Sequence, residues 1–246
     1  MFSLKVVRIS AYTALAFLVS SPAMAGVVIT GTRLIYPEGQ KEVTVKLNNN
    51  GLQPALVQAW VDDGDARSSP TNSKAPFILS PPVSRIDPSK GQSLRLMFTG
   101  KELPANKESV FWLNVLEIPP KVESTVDTNL LQMAFRSRIK VFYRPNGLVG
   151  SVVDAPGSLK WKIVNHGKLY AVQAYNPTAF HVSLAELSLV VDGRRYISES
   201  GMIKPNDTQD FSLPDLKSRP NMAGELEFNA INDYGASTLI KYPLKP

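Results

Sequence analysis

The sequence contains no cysteine and only two histidines among 246 residues. Without cysteine there is no disulfide framework, no thiolate zinc site, no Cys nucleophile and no lipid-modified cysteine behind a leader. The histidines have no ligand-spaced partners: His166 sits in the turn signal Asn165-His166-Gly167, and His181 lies between Phe180 and Val182. Gly-rich phosphate loops, nucleophile elbows and paired-carboxylate motifs are absent as well. Asp62-Asp63-Gly64-Asp65 lacks the spaced acidic ligands and closing Glu of a calcium loop and reads as a hairpin turn. No catalytic residue, cofactor or metal is implied.

Long hydrophobic runs are scarce too. Residues 9–19 form an apolar stretch of about 11, too short to span a bilayer. Lys5 and Arg8 precede it and Ala23-Met24-Ala25 follows, so residues 1–25 read as a secretory signal cut before Gly26. No later segment matches it, and an exported, soluble chain without a membrane anchor is expected. The formal charge of +6 falls to +4 once Lys5 and Arg8 are removed. The remaining basic residues are scattered, which excludes nucleic acid as an expected partner.

What is present is β-like punctuation. With 43% hydrophobic residues the chain can fill a core, and 19 Pro and 15 Gly break it into short runs. Strands are expected at 27–36, 43–47, 55–61, 110–116 and 130–143. A second series is expected at 159–164, 169–174, 182–184, 187–191, 210–213, 226–231 and 237–242, with shorter candidates between. No segment sustains a 3.6-residue period with caps, so helix should be rare. Arg144-Pro145-Asn146-Gly147 marks a boundary between 26–145 and 146–246. About seven short strands on each side is the arithmetic of an all-β protein of two immunoglobulin-like sandwiches, each held by packing alone.

The run 130–143 is long for a strand. Leu131, Met133 and Phe135 alternate with Gln132, Ala134 and Arg136, which places three apolar side chains on one face. An ordinary half-buried core strand would read the same way. Its length, and the cations Arg136, Arg138 and Lys140 of the kind that blunt an exposed edge, raise the alternative of a template for strand addition.

The segment from Leu131 to Pro145 resembles the signature strand of the PapD-like periplasmic pilus chaperones. So do Gly31-Thr32-Arg33-Leu34-Ile35-Tyr36-Pro37, Pro76-Phe77-Ile78, Ser80-Pro81-Pro82 and Arg85-Ile86-Asp87-Pro88. The run from Glu108 through Val115 with Glu117-Ile118-Pro119-Pro120-Lys121 is similar, as are Tyr175-Asn176-Pro177-Thr178 and Ile231-Asn232-Asp233-Tyr234-Gly235.

The resemblance implies two immunoglobulin-like domains in a boomerang with a cleft between them, and a non-enzymatic periplasmic chaperone. It would lend its long strand to pilus (fimbrial) subunits that lack their last strand, and pass them to an outer-membrane usher. Leu131, Met133 and Phe135 would fill the subunit groove, Phe135 departing from the usual aliphatic residue. Arg33 and Lys140 would anchor the subunit's C-terminal carboxylate, and Glu108, Arg144 and Asp233 would form an inter-domain ion network. The absent cysteines and the short stretch 121–129 favour the short-loop subclass; a self-capping homodimer is left open. Two rivals are disfavoured. A structural pilin or adhesin would need a donor extension and usually a disulfide, and a secreted hydrolase would need paired carboxylates. One tension remains: Lys140 has the opposite parity to residues 131, 133 and 135, so a twist or bulge between them is expected.

Overall fold

The computed structural model describes residues 26–118, 133–167, 169–220 and 223–244. The expected signal segment 1–25, Leu131 and the stretch 121–129 lie outside these residues.

The first sandwich comprises β1 (Val27–Ile29), β2 (Arg33–Pro37), β3 (Val43–Asn49), β4 (Ala55–Asp62), β5 (Phe77–Ser80), β6 (Val83–Ile86), β7 (Gly91–Phe98), β8 (Ser109–Ile118) and β9 (Phe135–Arg144). Its sheets run β1-β3-β7-β5 and β2-β9-β8-β4-β6. The expected first strand 27–36 is therefore two strands in two sheets. Gly31, at φ +99, makes the crossing in a backbone region that glycine enters without a Cβ penalty. β1 joins β3 antiparallel, and β2 joins β9 in parallel.

The second sandwich comprises β10 (Lys160–His166), β11 (Leu169–Tyr175), β12 (Val182–Val191), β13 (Arg194–Ser198), β14 (Gly201–Ile203), β15 (Thr208–Leu213), β16 (Gly224–Ile231) and β17 (Ser237–Leu244). One sheet runs β10-β11-β15; the other runs β13-β12-β16-β17, with β14 beside β12. The expected strands 182–184 and 187–191 merge into β12, whose register on β16 shifts between Leu184 and Glu186. Such an irregularity interrupts the alternation that a sequence pattern follows. β13 and β14 were not expected, because strands of five and three residues carry too little periodicity.

Each sandwich has its own core. Leu47, Leu94, Leu96, Leu113 and Val141 are fully sealed in the first, and Val172, Leu187, Ile203, Leu213 and Leu226 in the second. Aromatics knit the first core in the absence of any disulfide. Tyr36, Phe77, Phe98, Phe111 and Tyr143 interlock with ring centroids 4.6–6.4 Å apart, each such pair adding about 0.5–1.5 kcal/mol beyond burial. Trp161 packs against Phe211 and Phe228 in the second core.

Asn176 pins the loop that meets the first sandwich. It is wholly buried; its amide donates to the carbonyls of Phe180 (2.7 Å) and Ile203, and its oxygen accepts from Thr178. That loop delivers Ala179, Phe180 and His181 to the junction between the sandwiches.

Candidate functional site

The parallel pair β2–β9 carries the site. Arg33 and Lys140 are register partners, as are Pro37 and Arg144 at the other end. Parallel pairing places the two cations side by side at the mouth of a cleft of about 420 Å³, lined by Thr32, Arg33, Trp112, Arg138, Ile139, Lys140, Ile231 and Gly235.

Arg33 donates one bond, from Nη1 to the carbonyl of Ile231 at 3.0 Å, and lies 5.7 Å from the centroid of Phe142. Its Nε is buried without a partner. Among the described residues the Lys140 ammonium has no hydrogen bond or ion pair. Burial pushes the lysine pKa below its ordinary value, and the neighbouring Arg33 charge pushes it the same way. Burial also lowers Arg33, with the fields of Asp233 and Glu108 acting in the other direction. Two adjoining cations, partly desolvated and contacted by no carboxylate among the described residues, offer donors suited to an anion. A planar fork next to a compact ammonium suits a carboxylate.

Four residues beyond Lys140, Arg144 is saturated. Its Nε donates to Glu108 (2.6 Å), and Nη1 and Nη2 grip Asp233 bidentately at 2.7 and 2.9 Å. Burial alone would lower the Arg144 pKa, but the bonds to Asp233 and Glu108 outweigh it and the pKa rises. Glu108, 3% exposed, uses its second oxygen for the backbone N–H of His181 at 2.8 Å and faces the ring Nδ1 at 3.3 Å. Its own N–H donates to Ala179 O. Glu108, Arg144 and Asp233 are thus one cluster spanning both sandwiches. His181, set aside on sequence for want of a ligand-spaced partner, completes it and packs on Phe142, 5.4 Å between ring centroids. Nothing in the sequence pairs His181 with a residue 73 positions away.

β9 pairs with β8 without interruption from Phe135↔Glu117 to Tyr143↔Ser109. Among the described residues no bulge interrupts this ladder, and none is needed. Ile139, Val141 and Tyr143 point into the first core, while Phe142 and Arg144 face the second sandwich. Met133 and Phe135 have the parity of the core-facing set and Lys140 that of the outward set, so regular alternation already puts them on opposite faces. Met133 and Phe135 are 56% and 60% exposed. Strand structure begins at Phe135; Met133 and Ala134 precede it, and Leu131 lies outside the described residues.

The edge cations depart from expectation as well. β2 covers β9 only from Lys140 to Arg144, so among the described residues 135–139 have a strand neighbour on one side alone. Arg136 and Arg138 do not shield this edge. They fold back over β8 and β4, each 4.7 Å from a tryptophan centroid, Trp60 and Trp112 respectively. Arg136 reaches Asn114 and the Ala66 carbonyl; Arg138 reaches the carboxylate of Asp62. Asp62, read from sequence as part of a turn, is fully buried as the β4 anchor of this cluster.

Two immunoglobulin-like sandwiches around a cationic cleft, with one exposed strand edge beside it, define the class. Residues 26–149 match the family described as the pili and flagellar-assembly chaperone PapD N-terminal domain, and residues 154–241 match the pili assembly chaperone PapD C-terminal domain. The chain belongs to the PapD family of pilus-assembly chaperones, not to an enzyme family. It is 44% identical over 228 residues to the probable fimbrial chaperone YadV of Escherichia coli K12, covering 92% of each chain. The crystal structure of the YadV chaperone superposes with a TM-score of 0.78 at 42% identity, over 89% of this chain and all of that one. A chain in the structure of the Salmonella enterica SafA pilin in complex with the SafB chaperone matches with a TM-score of 0.73 at 27% identity, over 91% of this chain and 99% of that one. The rival reading as a structural pilin is set aside. No described helix is long and apolar enough to cross a membrane.

Proposed function

We propose that this chaperone captures pilus subunits by donating the free edge of β9 and hands them to an outer-membrane usher. Arg33 and Lys140 bind the subunit's C-terminal carboxylate, which sets the register. Leu131, Met133 and Phe135 then occupy the subunit's unfilled groove. Burying three such side chains at ~1.5–3 kcal/mol each is worth roughly 5–9 kcal/mol before ordering costs. Glu108, Arg144 and Asp233 hold the cleft angle between domains 26–145 and 146–246. The signal peptide is removed before Gly26, and the mature chaperone works in the periplasm. In its free state the exposed stripe on β9 is the surface a second copy would cover.

The observation that carries the reading is the cation pair: Arg33 and Lys140 are adjacent in register, partly buried, and without a carboxylate in contact among the described residues. The test is co-expression of candidate subunits with wild type, Arg33→Ala or Lys140→Ala, followed by recovery of soluble complexes. Both variants should fold and lose complex; full recovery with both would overturn the anchoring role. Met133→Asp should abolish capture while leaving the thermal midpoint unchanged, because the side chain is already exposed.

A further inference from the structure

We propose that Asp62 is a positioning residue for partner capture: by tying Arg136 and Arg138 back across their own sheet, it keeps the free edge of β9 straight and uncovered. This rests on the strand-donation reading above. On the core-facing side, Ile139 packs on the first core whereas Phe135 is exposed, and among the described residues 135–139 have one strand neighbour. The other face of the same stretch is clamped. Arg136 donates to Asn114 Oδ1 from Nε (2.9 Å) and Nη2 (2.6 Å), and to Ala66 O at 2.8 Å. Arg138 Nε donates to Asp62 Oδ2 at 3.0 Å, and Nη2 bonds Oδ1.

Asp62 gathers these contacts. Its Oδ2 accepts from Asn114 at 2.7 Å and its Oδ1 accepts from the Gly64 N–H at 2.8 Å, so one buried carboxylate joins β4, β8 and β9. Its side chain is 0% exposed, whereas the two arginines remain 29% and 25% exposed. Buried ion pairs are weak stabilisers compared with apolar packing of the same volume, so stability is a poor reason for this one. Its geometric consequence is clearer. An arginine free to swing would hang over the strand edge and act as the guard that natural sheets use against pairing. Held flat on Trp60 and Trp112, the two guards are out of the way, and the donor segment is extended before the partner arrives.

The experiment compares Asp62→Asn with wild type. The pilin is whichever one wild type captures from a panel of guanidinium-denatured subunits diluted into chaperone. We expect capture about tenfold slower, with the loss in association rate rather than dissociation. Amide exchange at 135–139 should be faster, with that at 140–144 unchanged. Adding Arg136→Gln and Arg138→Gln to Asp62→Asn should restore most of the rate, since the guards are then gone; a merely structural role for Asp62 would not be rescued this way. Arg138→Lys, which keeps the charge and loses the fork, serves if Asp62→Asn is poorly folded, and should be slowed by a smaller factor. An unchanged rate and unchanged exchange in both Asp62→Asn and Arg138→Lys would overturn the proposal. Met133→Asp separates the two readings: if it captures normally, strand donation itself fails, whatever the Asp62 variant does.

Discussion

Arg33 and Arg144 stand at opposite ends of one five-residue parallel strand pair, and they are treated differently. Arg144 spends its guanidinium on two carboxylates from two sandwiches, with Glu108 bridging onward to His181. Arg33, beside Lys140, has a single backbone carbonyl and an unpartnered Nε. A saturated cluster holds geometry, because removing any member strands the others in a dry place. An unsaturated one leaves donors open. The same cation, a few residues along the same ladder, is spent on two carboxylates in one place and, among the described residues, left open in the other, as the proposed anchoring role requires.

The comparison can be broken most directly at its saturated end. Arg144→Ala leaves Glu108 buried with its charge uncompensated and should lower stability by about 3–5 kcal/mol in denaturant titration. Arg33→Ala should leave the unfolding midpoint within about 0.5 kcal/mol of wild type; equal losses for the two would erase the distinction. Next in size is Gly235→Ala. Its φ is +85, and an added Cβ would meet Thr32 Oγ1 at 2.6 Å across the domain junction. A loss of about 1–3 kcal/mol is expected, with the cleft angle altered in small-angle scattering.

Lys140 sharpens the unsaturated end through its pH dependence. Its folded pKa lies below the unfolded one, so the charged form is penalised in the native state. Stability should therefore rise with pH as the solution passes through the folded pKa toward the ordinary lysine value of about 10.4. Lys140→Met should remove that rise and raise stability at neutral pH; an unchanged alkaline slope would refute the assignment. Asp62 runs the other way. Burial opposes its ionisation, but the bonds from Arg138, Asn114 and Gly64 outweigh it and hold the pKa below the usual carboxylate range. That stability is present above about pH 3.9 and is lost as pH falls through the folded value. Asp62→Asn should flatten this acid limb.

The pattern of alternation and turn residues was enough to reveal two sandwiches and a strand ending near residue 143, but it read equally as an ordinary half-buried core strand, and the exposure of Met133 and Phe135 was not in it. Resemblance of short motifs singled out Arg33, Lys140, Glu108, Arg144 and Asp233. Other features were not legible. His181 reads as an isolated histidine and Asp62 as a turn residue, since their partners lie 73 and 52–76 positions away. Arg136 and Arg138 read as edge guards because spacing reports which face a side chain leaves from, not where its tip comes to rest.

By itself, then, the chain's local chemistry determined strand propensity, facing and the absence of cross-links, all of which depend on neighbours within a few residues. Tertiary structure decided which charges are saturated and which are left open. Charge pairing is set by distances of a few ångströms between groups remote in sequence, and burial is what makes those distances count. The regular alternation of β9 shows the division plainly. The opposite parities of Phe135 and Lys140 were in the sequence, but only the sandwich on one side and the cleft on the other turned that parity into an exposed apolar side chain and a partly buried cation.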